Sequence, residues 1–420
     1  MTIDKIIESV AVRKDKDIRY SYNSIILDIM RLRNSNKLSQ SELASRSGIS
    51  HTSVSRIENF LMQPTLKVVL QILNVFGMSL AVVPKNSIEQ NHPKLTVIDY
   101  SGEKEIEQPE KTITKVTYNE TISFIKKRIG FKTTVYKDYS TFVEEMLKCY
   151  CDFLEEKKVN STVKRNVNRF GRYIQLVLME YYNGQHNLAY SLFKEAIESC
   201  IDVNAFIREI PNNILFYRCR KKQKENYTKS EIFHIPFEKR YYVSTQRYSF
   251  PGLPCLYLGA SKEICKDEIT DEKQKMVTAT IKYSSNKEKH KILDLTALFT
   301  EQIKDLSYTC DDEWLKNISL FLVCSAYIDY QGEDVFFKQE YIIPQLLLEY
   351  IINETLLKEQ MVLGIKYFSV KTNIWNDVLN KNYAELQKKC NYVFPAREIK
   401  KEGCCETLKK VFEIVEIQVD

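Results

Sequence analysis

Residues 37–59, KLSQSELASRSGISHTSVSRIEN, constrain the chain more than any other stretch, because they spell two short helices and the turn between them. Ser39 with Glu42 three positions on is an S-x-x-E capping box, in which each side chain satisfies a main-chain N–H that the first helical turn leaves unpaired. Gly48 stands where a helix needs a left-handed residue to stop, and Ser50 caps the next helix, whose Val54 and Ile57 face inward. Pro64 and Thr65 start a further helix with Val68, Val69, Ile72 and Leu73 buried, and Leu66 and Leu70 also count toward the core. Upstream, residues 22–35 read as an amphipathic helix with Ile25, Ile26, Ile29, Met30 and Leu32 on or near one stripe. Two short helices joined by a glycine-containing turn form the helix-turn-helix unit, whose second helix enters the major groove of DNA.

The order of Gln, Leu-Ala, Gly-Ile-Ser, Ile-Glu-Asn and Pro over residues 22–77 resembles the Xre/phage-repressor family. Where that family docks DNA, this chain has Gln40, His51, Thr52, Ser53 and Arg56, and Gln and Arg suit bidentate contacts to bases or phosphates. The stretch MSLAVVPK after Gly77 reads as a strand ended by proline. Xre proteins resembling the HipB antitoxin place a dimerising strand here, so the resemblance implies a homo-oligomer matched to a two-fold operator.

At 420 residues the chain is long for one core and suits two or three domains. A net charge of +6 over that length permits nucleic-acid binding without demanding it. Charges interrupt the apolar residues of the opening MTIDKIIESVAVRKDKD, and no run approaches the roughly 18 apolar residues of a membrane span. A cytoplasmic protein without membrane contact is expected. The eleven cysteines lack C-x-x-C spacing and partner histidines, and only Cys149/Cys151 and Cys404/Cys405 lie close in sequence. They read as reduced, mostly packed thiols, and no metal site is expected. Pro84, Pro93 and Pro109 and a polar run place a linker at 85–112. Helical spacing then fills 113–204, with a glycine turn in YYNGQHNLAYSLF and His186 as a solvated residue of that turn. This region reads as a helical scaffold.

From residue 214 the texture changes to strands and turns: NILFYRCR, EIFHIPFEKRYYVSTQRYSFPGLPCLYLG, MVTATIKYS and HKILDLT. The Pro-Gly pair after Arg247 reads as a turn joining it to an apolar run, in the manner of a hairpin. Gly259 and Ser261 begin a helix on which Ile264, Cys265 and Glu268 share one face. A carboxylate on an apolar face is costly unless paired, hydrogen-bonded or functional, so Glu268 stands out. QEYIIPQLLLEYIINE reads as a helix with Pro344 near its first turn. GIKYFSVKT reads as a strand with Tyr367 and Ser369 on one side, and NYVFPA and a final helix, CETLKKVFEIV, close the chain.

In order and spacing, these segments resemble the RES family, named for its Arg, Glu and Ser, over about 214–418. FYR supplies Arg218, QRYS-PG-PCLYLG supplies Arg247 and Tyr257, and the following helix supplies Glu268. GIKYFS supplies Ser369 and NYVFP supplies Asn391. The resemblance implies a C-terminal α+β domain with a fold like the ADP-ribosyltransferases. It also implies a toxin component that degrades NAD⁺ as substrate, by phosphorolysis or hydrolysis, with inorganic phosphate a possible co-substrate and no bound cofactor.

Under that reading Arg218 and Arg247 bind the pyrophosphate bidentately. Glu268 stabilises the positive centre formed as the nicotinamide–ribose bond breaks. Tyr257 stacks on the nicotinamide, Ser369 holds the ribose or an acceptor phosphate, and Asn391 contributes to substrate binding. Arg220 and Arg240 are alternatives for the anion role. The expected chain is thus multidomain: an all-α helix-turn-helix domain at 18–84, a linker at 85–112, a helical middle at 113–204 and a RES domain at 205–420. Its partners are NAD⁺ and DNA, and its role is that of a toxin–antitoxin-like or anti-phage effector. A transcription regulator that binds a dinucleotide without turnover, and an ADP-ribosyltransferase acting on a macromolecule, stay open beside it.

Overall fold

The computed structural model describes residues 25–26, 29–30, 32–33, 36, 38–58, 62, 64–78, 116–129, 132–133, 138–269, 275–285, 288–300, 309–330, 335–354, 357, 359–398 and 400–419. Contacts divide the chain into two compact units, Met1–Gln108 and Pro109–Asp420. The linker placed at 85–112 and the strand residues after Met78 lie outside the described residues.

In the first unit, helix α1 spans Gln40–Ser47, α2 His51–Glu58 and α3 Leu66–Val75. The local signals act as their chemistry requires. Ser39 and Glu42 form the reciprocal box, and Gly48 ends α1 at φ 69°. The Ser50 hydroxyl accepts from the Ser53 N–H at 3.1 Å, and Thr65 caps α3. Ile26, Ile29, Leu32, Leu43, Val54, Ile57, Val69, Ile72 and Leu73 make the core. Leu70, counted as core from its helical spacing, is instead 40 % exposed on the outer side of α3, and Leu66 and Val68 are only half-buried.

The second unit joins the helical middle to the C-terminal sheet. Helix α4 (Tyr118–Phe124) runs into a π-helical turn at Ile125–Ile129, followed by α5 (Tyr139–Glu156), α6 (Ser161–Tyr182) and α7 (His186–Cys200). Gly184, at φ 75°, makes the turn between α6 and α7. His186 falls on the first turn of α7, not in the loop, and its ring meets Tyr181 edge-on at 4.5 Å. These helices share the unit with the sheet. The buried Tyr139 and Tyr150 hydroxyls each donate, at 2.8 Å, to carbonyls of α11 (Asp312–Ser325), those of Val323 and Leu315.

Strands β2 (Ile207–Glu209), β3 (Leu215–Lys221), β4 (Cys255–Gly259), β5 (Met276–Tyr283), β6 (Lys291–Asp294), β8 (Val362–Phe368), β9 (Cys390–Pro395) and β10 (Phe412–Val419) form one sheet. Their order is β10-β5-β3-β4-β9-β8-β6-β2, with β6 and β8 parallel and the other neighbours antiparallel. Strands β1 (Lys132–Thr133) and β7 (Tyr327–Ile328) pair separately. The remaining helices are α8 (Lys229–Ile232), α9 (Lys262–Glu268), α10 (Ala297–Thr300), α12 (Ile342–Asn353), α13 (Trp375–Leu379), α14 (Tyr383–Lys388) and α15 (Glu406–Val411).

Two expectations change here. The final helix is short, and FEIVEIQV after it is strand β10, with Phe412 and Ile414 buried and Glu413 and Glu416 exposed. Arg247 lies in a tight turn closed by main-chain hydrogen bonds between Gln246 and Ser249, not on the arm of a hairpin. The buried Gln345 of α12 fixes that turn, its amide donating to the Gln246 carbonyl at 2.9 Å and the Ser249 carbonyl at 3.1 Å.

Candidate functional site

The residues set apart in the C-terminal region converge because of strand order, not chain order. Across β8, β9, β4 and β3, Tyr367 stands opposite Asn391, Asn391 opposite Gly259, and Gly259 opposite Tyr217. Helix α9 packs on this row. A Cβ at Gly259 would lie 2.5 Å from the Cys265 sulfur and 2.7 Å from Ile264, so only glycine lets α9 approach this closely. Gly259→Val therefore displaces the helix and its Glu268, with an expected loss of about 1–3 kcal/mol from overpacking. Chemical denaturation measures it, and unchanged stability would show that the close approach is not needed.

Glu268 ends α9 and projects into the open pocket, with its side chain 36 % exposed. The cost of burying a carboxylate, which first drew attention to it, is therefore not incurred. It is instead held by hydrogen bonds. The buried Ser369 hydroxyl donates to its Oε1 at 2.6 Å, and the buried Asn391 amide donates to the same oxygen at 2.9 Å. Lys371 reaches Oε2 at 3.5 Å and also donates to the Glu268 carbonyl at 3.0 Å. One carboxylate oxygen is thus fixed by neutral donors, while the other faces the Lys371 ammonium.

Around Glu268 lies a cavity of about 250 Å³ whose walls include Arg218, Arg247, Tyr257, Lys338, Tyr341, Tyr367, Lys371 and Asn391. Arg218, on β3, donates through Nε to the Ile232 carbonyl at 2.9 Å and through Nη1 to the Tyr257 carbonyl at 2.7 Å. Burial, and then the charge of Arg220, lowers its proton affinity to about 9, so it remains a cation at neutral pH. Arg247 is 7 % exposed. Its Nη1 donates to the Cys324 and Ala326 carbonyls, each at 3.1 Å, at the C-terminal end of α11, where the helix dipole favours a cation. Its guanidinium stacks on Tyr341 at 5.1 Å, and its buried Nη2 has no hydrogen-bond partner among the described residues.

Tyr257 donates to Ser249 at 3.1 Å. Burial raises the pKa of Tyr257 and of Tyr367, which keeps both phenols neutral. Arg220 and Arg240 instead serve main-chain carbonyls of Phe233 and Gly252, at 2.8 and 3.0 Å, and neither lines the cavity. Lys338, Tyr341 and Lys371 escaped the reading of the sequence. Lys371 was legible as the basic residue two after Ser369, whereas Lys338 and Tyr341 begin and end a turn that only the fold brings to Arg247.

In the first unit, Arg33 forms a bidentate pair with Glu58, at 2.6 and 2.8 Å, and Glu58 is 4 % exposed. The Gln40 amide donates to the same carboxylate at 2.8 Å. That nitrogen, assigned to DNA from the sequence, thus serves first to join the start of α1 to the end of α2. His51, Thr52 and Arg56 are exposed on α2, and the Ser53 hydroxyl lies 2.8 Å from that of Ser50.

Comparison with known proteins agrees with this division. Residues 29–83 match the helix-turn-helix family, which places the first unit in that class. Over 322 residues, 70 % of this chain and 69 % of its relative, the sequence is 32 % identical to the Bacillus subtilis (strain 168) protein named "Putative toxin YopC", and the chain belongs to the YopC family. No solved structure matches. Among the described residues no helix is long and apolar enough to cross a membrane.

Proposed function

We propose that the chain is a toxin–antitoxin-like or anti-phage effector whose C-terminal region consumes NAD⁺ by breaking the nicotinamide–ribose bond. The observation that carries this reading is Glu268, fixed by Ser369 and Asn391 at a cavity whose walls also carry Arg218, Arg247, Lys338, Lys371 and several tyrosines. A dinucleotide pyrophosphate suits Arg218 and Arg247. As the glycosidic bond lengthens, positive charge grows on the ribose, and a preorganised carboxylate stabilises it without reorganising. Tyr257 and Tyr367 supply aromatic walls for the leaving nicotinamide. Water or phosphate then takes the anomeric carbon, and the RES resemblance favours phosphate as one acceptor. The toxin name of the Bacillus relative supports a harmful activity. The first unit binds DNA through the exposed face of α2, with His51, Thr52 and Arg56 as contacts.

Incubating the full chain with NAD⁺, with and without phosphate, tests the reading. Loss of NAD⁺ with release of nicotinamide is expected. No loss in either condition would reject the enzyme, and ADP-ribose label on a macromolecule would redirect it to a transferase.

A further inference from the structure

Near Arg247, next to the cavity wall, lies a buried acid that no step above uses. Glu340, in the turn Gln339–Tyr341 before α12, is 0 % exposed. Its Oε2 accepts from the Tyr330 hydroxyl at 3.2 Å, and its Oε1 has no hydrogen-bond partner among the described residues. The Arg247 guanidinium, with Nη2 equally unpartnered, stacks on the adjacent Tyr341. The acid and the arginine therefore share one dry region, each with an unused hydrogen-bonding atom.

We propose that Glu340 is a positioning residue for Arg247: it balances that charge in the free protein and takes up a proton when an oxyanion reaches Arg247. The inference rests on the reading of Arg247 as an anion handle. A buried carboxylate needs a counter-charge, and Arg247 is the neighbouring buried cation. An oxyanion at Arg247 would add a second negative charge beside the same arginine in a poorly hydrated place. Two anions there repel, and protonating one relieves the repulsion. Glu340 is the one suited to accept the proton, which comes from solvent and ends on its carboxylate.

The other groups facing Glu340 do not compete for that proton. Arg247 and Lys338 are cations, and Tyr330, Tyr139 and Tyr182 are phenols whose proton affinity burial raises. Burial also raises the pKa of Glu340 itself, against the opposing charge of Arg247.

Calorimetric titration of the full chain with inorganic pyrophosphate and with ADP-ribose, in buffers of different ionisation heat, reads the protons bound. Wild-type protein should take up a substantial fraction of one proton per ligand near pH 7, and bind more tightly as pH falls. Glu340→Gln, which resembles the protonated acid, should take up none on binding ADP-ribose, whose pyrophosphate has no group that titrates near neutral pH, and should bind it about tenfold more tightly than wild type at pH 8, the equivalent of one pKa unit of linkage. Glu340→Asp keeps the acid and should keep proton uptake, which guards against a folding defect in the first variant.

Uptake with ADP-ribose that persists in Glu340→Gln, equal affinities at pH 8, or no binding of either probe would overturn the proposal. Proton-linked pyrophosphate binding by a protein that leaves NAD⁺ intact would instead reject the NAD⁺ reading and leave Glu340's role standing.

Discussion

Glu268→Gln should lower NAD⁺ consumption by about 10²–10³-fold, the range for removing one preorganised electrostatic group from a reaction centre, while leaving thermal stability nearly unchanged. The two halves of this expectation have different origins. Glutamine keeps an acceptor oxygen for the Ser369 hydroxyl and the Asn391 amide, which meet the same carboxylate oxygen at 2.6 and 2.9 Å. Its carboxamide carries no charge to oppose the growing positive centre on ribose. The native side chain is also 36 % exposed, so no buried charge is left behind. The defect should lie in kcat more than in KM, because the stabilised charge exists only in the transition state. Steady-state kinetics and a melting curve measure both halves. Activity within twofold of wild type would remove Glu268 from the chemistry, and a large fall in melting temperature would make it a structural residue.

How much of this was legible before folding depends on the range of each signal. Caps and turn residues act over three or four positions. Ser39, Glu42, Gly48 and Ser50 therefore announced α1, α2 and the turn between them directly. Leu70 was misplaced because helical spacing gives a stripe without saying how wide a face its neighbours cover. Strand β10 was hidden by the helix before it, although the alternation of Phe412, Glu413 and Ile414 is the pattern of a half-buried strand.

The candidate site was legible as an ordered set of residues, not as a geometry. Glu268, Ser369 and Asn391 are separated by more than a hundred positions in the widest case, and they meet only because β9 lies between β4 and β8. No local pattern carries that order. The same holds at Arg247, where a Pro-Gly pair suggested a hairpin. The turn is instead positioned by Gln345 from α12 and by the carbonyls closing α11. Helix α11 also receives the hydroxyl of Tyr139 from the helical middle, so the region read as a helical scaffold supports the wall of the cavity.

Acidification should weaken the second unit through His234 before most carboxylates titrate. His234 is 0 % exposed. Its Nδ1–H donates to the Ile235 carbonyl at 2.8 Å, and its Nε2 accepts the Cys405 N–H at 2.8 Å. The second bond requires an unprotonated nitrogen. Burial, reinforced by the charge of Arg218, lowers the pKa from 6.5 to about 4, against a smaller opposing effect of the Ile235 hydrogen bond.

Because the folded pKa lies below the unfolded one, the unfolded chain binds more protons between those values. The stabilisation is therefore complete above pH 6.5 and falls as pH drops toward 4, by about 3 kcal/mol in all, with about 2 kcal/mol gone at pH 5. His290, also buried, has its pKa lowered by burial and adds in the same direction. Denaturant titrations at pH 7 and pH 5 should show the loss in wild type. His234→Gln should be less stable at pH 7 but lose much less between the two, and His290→Gln should remove only the remainder. An equal loss in wild type and His234→Gln would refute the assignment.

The site should loosen in the same range, because the segment beside His234 supplies the Ile232 carbonyl that holds Arg218 and the Phe233 carbonyl that holds Arg220. Protonating His234 breaks its bond from the Cys405 N–H and displaces that segment, so anion binding at Arg218, which tightens between pH 8 and neutral, should weaken below pH 5 in wild type and persist in His234→Gln.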